Sequence, residues 1–128
     1  MEQGNRSVNT VSKEMHLYSV GEVCSLTGVT RKTLFYYDKN GLLKPTDRIT
    51  AQKFKLYDAD QLARLNKILI YRSAGLSIKE IKAILDDDKA THLAVLESAL
   101  KRLEMEKDDK EAEIERLKNL IEKEKNSN

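Results

Sequence analysis

Thr30-Arg31-Lys32-Thr33-Leu34-Phe35-Tyr36-Tyr37-Asp38 is the stretch whose reading decides the fold. It has the form of a short helix carrying cations and aromatics together. Thr30 can cap such a helix by accepting a hydrogen bond from a free N–H of the first turn. Arg31 and Lys32 then stand at its positive end, where the helix dipole favours an anion. Leu34, Tyr37 and Asp38 define the opposite side, and Asn40-Gly41 supplies a left-handed stop. A helix of this kind suits a DNA groove, with the rest of the chain placed to hold it there.

Upstream, Ser19 followed by Glu22 has the capping-box spacing, and the same spacing recurs at Ser77 and Glu80, with a looser Asp58 and Gln61 between them. The first box predicts a helix from about Val20 to Leu26, and Thr27-Gly28-Val29 then turns the chain into the opening stretch. Two helices joined by so tight a turn form a helix-turn-helix, which needs a small residue at their crossing and a glycine in the turn. Cys24 and Gly28 supply them, so Cys24 reads as a small structural hydrophobe. A metal sensor would need several ligands, whereas His16, Cys24 and His92 lie far apart in sequence. No metal and no cofactor are expected.

Downstream, Leu42-Leu43-Lys44-Pro45 is extended because the residue before proline avoids the helical region. Thr46–Gln52 is polar, and Lys53-Phe54-Lys55-Leu56-Tyr57 alternates as a strand does. These residues predict a two-stranded wing with Arg48 at its tip and Lys53 and Lys55 exposed. Lys39, Arg48 and Lys53 would then contact phosphates, while the helix side chains read base edges. Ala59–Ser73 should be a helix with Leu62, Leu65, Ile68 and Leu69 inward, and Ser77 should start another carrying Ile78, Ile81, Ile84 and Leu85.

After Asp86-Asp87-Asp88, Leu93, Leu96, Leu100 and Leu103 step by three and four, and Ile114, Leu117 and Ile121 continue in phase. Lys107 and Lys110 occupy the seam between them. One helix from Leu93 to Ile121 would be roughly 43 Å long at 1.5 Å per residue. A stripe this narrow requires a partner helix, and a second copy of the chain is the default.

Net charge is +2, but residues 1–85 hold 14 Lys/Arg against 8 Asp/Glu while residues 86–128 hold 9 against 13. A basic front and an acidic back direct an anionic partner to the front alone. No apolar run approaches the roughly 20 residues that span a bilayer. With one cysteine there is no internal disulfide, so a cytoplasmic protein without membrane partners is expected. No nucleophile set, phosphate loop or paired-acid motif appears, and no catalysis is expected. Residues 1–15 are polar and aperiodic and read as a disordered arm, with Met15 as a candidate start of translation.

Taken together, Tyr18-Ser19-Val20-Gly21-Glu22-Val23, Thr27-Gly28-Val29-Thr30, Thr33 to Asp38, Gly41-Leu42-Leu43-Lys44-Pro45, Phe54-Lys55-Leu56-Tyr57 and Gly75 to Ile81 resemble the MerR family of bacterial transcription regulators. The resemblance covers residues 17–85 nearly continuously. It implies a mainly α protein, with a winged helix-turn-helix DNA-binding domain followed by a long helix that dimerises as an antiparallel coiled coil. It also implies a homodimer on a palindromic promoter operator, often acting by distorting promoter DNA for RNA polymerase.

By position, the implied DNA contacts are Thr30, Arg31, Lys32 and Tyr36 in the recognition helix, and Arg48, Lys53, Lys55 and Tyr57 from the wing. Two places depart from the family pattern. Phe35 stands where arginine is frequent, and Lys53-Phe54-Lys55 stands for Gly-Tyr-Arg. The expected division is an arm at 1–15, the DNA-binding domain at 16–86, the dimerisation helix at 87–124 and a disordered tail at 125–128. The chain would thus be a short form without a C-terminal effector domain. The alternatives are an architectural, excisionase-like DNA-bending protein and a coiled-coil adaptor.

Overall fold

The computed structural model of the protein describes residues 16–49 and 54–127. The arm, the candidate start at Met15 and Lys53 lie outside the described residues. In chain order the elements are β1 (Tyr18–Ser19), α1 (Val20–Thr27), α2 (Arg31–Lys39), β2 (Asp47–Ile49), β3 (Phe54–Tyr57), α3 (Ala59–Ser73), α4 (Ile78–Asp86) and α5 (Lys89–Asn126). They form two compact units, the first ending at Ser73 and the second beginning at Ala74. The division falls before α4, which lies in the same unit as the long helix.

In the first unit, both halves of the predicted capping box at α1 are present. Glu22 N–H donates to Ser19 Oγ at 3.2 Å, and Ser19 N–H donates back to Glu22 Oε1 at 2.9 Å. Gly28 ends α1 at φ +80°, a left-handed conformation that a side chain would strain. Thr30 caps α2 by accepting from Thr33 N–H at 3.1 Å. Beyond Asn40 the chain is anchored, since Leu42 and Leu43 both donate to Tyr37 O, at 2.9 and 3.1 Å. Their side chains are buried with Val20, Val23, Leu34, Tyr37, Leu65 and Ile68. Cys24 is a half-buried free thiol, so the fully enclosed residues of these helices are Val23 and Leu34 instead.

The sheet has three strands, in the order β1-β3-β2, where the sequence indicated two. Tyr18 pairs with Tyr57 and Ser19 with Leu56, which makes β3 the central strand. A two-residue strand is too short to display alternation, which is why β1 escapes a sequence reading. Helix α3 has the predicted bounds; Asp58 caps it by accepting from Gln61 N–H at 3.0 Å, and Arg64 Nε donates to Leu42 O at 2.8 Å.

In the second unit, Ser77 and Glu80 form the other complete box. Arg102 of α5 donates to Glu80 Oε1 at 2.7 Å and to Gly75 O at 3.2 Å. A Cβ added at Gly75 would lie 3.1 Å from Leu103 Cδ1, so glycine permits this close approach. Helix α5 has 38 residues, about 57 Å at 1.5 Å per residue, and includes positions 125 and 126 that were expected in a tail. Residues 122–125 are alternating Glu and Lys, strong helix formers that carry no apolar marker, so periodicity understated the C-terminal end of the helix. Asp88 occupies its N-cap, but with no side-chain cap hydrogen bond.

Candidate nucleic-acid interface

At about 100° per residue, Leu34, Tyr37 and Asp38 fall within one arc of α2, while Lys32, Phe35, Tyr36 and Lys39 fall on the opposite arc. Burial follows that division. The first three are enclosed, Asp38 at 6% exposure, and the other four are exposed together with Thr30 and Arg31. Tyr37 is therefore core, while Tyr36 is an outward aromatic at the end of the exposed arc farthest from Arg31. Arg31 sits at the margin of that arc, where a Cβ added at Gly21 would be 3.5 Å from its Nη2. Its guanidinium thus lies over the first turn of α1. A cleft of about 290 Å³ opens there, with Gly21, Arg31, Phe35 and Lys55 in its lining.

The wing differs from its sequence reading. Residues two apart on a strand share a face, so Lys55 and Tyr57 point the same way. Tyr57 is 1% exposed and belongs to the core, where it cannot reach DNA. Lys55 follows it inward. Its Nζ is 3.0 Å from Asp38 Oδ2 and 4.1 Å from the centre of the Phe35 ring. Alternation places Lys55 and Tyr57 on one face but leaves open which face that is, and here it is the inner one. Arg48 lies in β2 opposite Lys55.

Two of the expected contacts are thus withdrawn from the outer surface by burial or pairing, and Thr30, Arg31, Lys32, Tyr36 and Lys39 remain on it. Sequence reasoning missed the Asp38–Lys55 pair and the Phe35 ring beneath it. Its signal was available, since Asp38 shares the apolar arc of α2 with Tyr37 and Lys55 keeps the phase of Tyr57. The two departures from the family pattern meet at this point.

On α5, the face turned to α4 runs through His92, Val95, Ala99, Arg102 and Leu103, all buried or half-buried. Leu93, Leu96 and Leu100 lie beside it and are exposed, as are Ile114, Leu117 and Ile121. Leu103 packs toward Gly75 within its own chain. Lys107 and Lys110 are paired along the helix with Glu111 and Glu113, at 3.9 and 3.3 Å. Among the described residues, no helix is long and apolar enough to cross a membrane, and no three His, Cys, Asp or Glu side chains are grouped to hold a metal ion.

Known proteins share this arrangement. The transcriptional activator TipA of Streptomyces coelicolor is 48% identical over 73 residues, which cover 57% of this chain and 28% of TipA. The chain spans between 28% and 41% of the lengths of the curated relatives it matches. The crystal structure of MtaN, the N-terminus of the Bacillus subtilis multidrug transporter activator, aligns at TM-score 0.68 and 31% identity, over 81% of this chain and 97% of that one. A cryo-EM structure of an EcmrR–DNA complex in EcmrR-RPo aligns at TM-score 0.77 and 26% identity, over 86% of this chain and 40% of EcmrR. Residues 18–88 match the family model described as MerR HTH family regulatory protein, more than half the chain. The geometry of α1, α2 and the wing and this match agree, and the chain belongs to the MerR family of helix-turn-helix regulatory proteins.

Proposed function

We propose that the protein is a dimeric, sequence-specific DNA-binding transcription regulator that lays α2 in the major groove of a palindromic promoter operator and acts by distorting the promoter. The observation that carries this reading is the exposed arc of α2. It presents Lys32, Tyr36 and Lys39 to solvent directly after the tight turn at Gly28, with Thr30 and Arg31 at the helix start. A capped, cationic helix of this kind is what groove recognition requires.

The exposed stripe on α5 supports the dimer, with Leu93, Leu96, Leu100, Ile114, Leu117 and Ile121 facing a second copy and Leu103 shared with the chain's own turn at Gly75. Two joined copies would set their α2 helices on half-sites about one DNA turn, or roughly 34 Å, apart. RNA polymerase is the further partner, a reading favoured by the likeness to EcmrR, whose DNA complex was determined in EcmrR-RPo.

The test is a duplex selected by the protein from a random-sequence pool, followed by titration of Lys32→Glu with Lys39→Glu. The folded double variant should lose at least a hundredfold in affinity. Unchanged affinity would sink the reading. Genome-wide mapping of bound sites then decides the mechanism. Sites inside overlong spacers between promoter elements support distortion, and sites outside promoters would replace it with the architectural role.

A further inference from the structure

The contact between Asp38, Lys55 and Phe35 has a consequence for how the reading surface is held together. Asp38 is the buried charged residue of the described core and lies in the last turn of α2, near the negative end of the helix dipole. Burial and dipole both disfavour a carboxylate there. Lys55 offsets both at 3.0 Å, with its ammonium group over the half-exposed ring of Phe35. A cation so placed gains from the carboxylate and from the negative face of the ring together. The lysine comes from β3 and the other two residues from α2, so the three side chains join the wing to the recognition helix.

From this geometry we infer that Lys55 is a positioning residue of the DNA-reading surface: it fixes β3 against α2 through Asp38 and Phe35 and gives no phosphate contact of its own. The inference rests on the DNA-binding reading above. It assigns the wing lysine a different role from the outward cations Lys32 and Lys39. With the pair intact, wing and helix meet the duplex as one rigid body. Without it, each must be ordered separately on binding, which costs affinity.

The salt dependence of binding separates positioning from contact, because each phosphate contact contributes about 0.9 to the slope of log affinity against log salt. On the selected duplex, Lys39→Gln removes one phosphate contact from each protomer, should lower that slope by about 1.8 and serves as the reference. Lys55→Met should weaken binding about tenfold or more at every salt concentration, with the slope unchanged. Lys55→Arg, which keeps the pair, should restore most of the affinity. Asp38→Asn is the sharper probe. It makes the protein more positive, so a purely electrostatic role for Lys55 predicts tighter binding, whereas the positioning role predicts weaker binding that is not additive with Lys55→Met.

Hydroxyl-radical footprinting on the folded variants should show protection lost at the wing flank and kept at the α2 half-site. A slope lowered by Lys55→Met, or tighter binding by Asp38→Asn, would overturn the positioning role while leaving DNA binding intact. Absence of salt-dependent binding by the unaltered chain would overturn both.

Discussion

Leu34 in α2 and Leu100 in α5 are the same side chain on the same kind of element, yet Leu34 is fully enclosed and Leu100 is 58% exposed. The difference lies in their surroundings. Leu34 stands on a short helix that packs against α1 and is tied to β3 through Asp38 and Lys55, and the apolar positions on its inner arc are buried. Leu100 stands on a helix that outruns its own unit, and from position 104 to 127 each side chain is exposed. The winged unit closes its core with its own residues. The long helix carries half of an interface. Substitutions in the two regions should therefore fail in different ways, one through stability and the other through assembly.

The largest effect is expected from Leu100→Glu. A charge in the middle of the stripe should convert the assembly to monomer at micromolar concentration, since each buried leucine contributes about 1.5–3 kcal/mol and a dimer loses two. Analytical ultracentrifugation reads the change, and the winged unit should keep its thermal transition. A variant that sediments like the parent would remove the contrast between the regions. Leu34→Ala probes the other side. It should cost about 3–5 kcal/mol in chemical denaturation through the cavity left in a closed core, with no change in sedimentation of the folded fraction.

A third substitution sharpens the comparison. Lys107 and Lys110 interrupt the stripe, and their pairs with Glu111 and Glu113 are exposed and contribute a few tenths of a kcal/mol each. Replacing both with leucine would make the stripe continuous from Leu93 to Ile121. A stripe that meets a partner should then assemble about tenfold more tightly or better, because the gain in apolar burial exceeds the lost pairs. Sedimentation across a dilution series measures this. Weaker or unchanged assembly would mean that the seam runs elsewhere on the helix.

How much of this was legible in the sequence depended on the distance between the residues involved. The capping boxes at Ser19 and Ser77 and the bounds of α3 are encoded within a few residues, and they form as read. The outward arc of α2 was legible for the same reason, since helical phase alone separates Lys32 and Tyr36 from Leu34 and Tyr37. What failed was non-local. Strand β1 exists because Tyr18 meets Tyr57 across the sheet, and no run of two residues announces that. The inward turn of Lys55 depends on which face of β3 meets the helices, a choice that alternation leaves open. The place of α4 with α5 depends on Arg102 reaching Glu80.

That last contact gives the smallest predicted effect and a signature in acid. The Glu80 carboxyl is held below the ordinary carboxylate range, first by the N–H of Ser77 and then by the Arg102 guanidinium, which is itself shifted upward by the pair. The folded chain therefore binds this proton less readily than the unfolded chain. The stabilisation is fully present above the unfolded value of about 4.3 and is lost as pH falls through the lower folded value. Glu22 is shifted the same way at the start of α1, through Ser19. Glu80→Gln keeps an acceptor for Ser77 but removes the charge facing Arg102, so it should cost below about 1 kcal/mol near neutral pH, as half-exposed pairs do. Its main effect should be a flatter loss of stability below about pH 4.3 than the parent shows. Amide exchange across Ser77–Ile81, followed from pH 6 to pH 3 by rapid quench, isolates this turn from the winged unit. Equal acid sensitivity in parent and variant would mean that α4 is held to α5 by Leu103 and Ala99 alone.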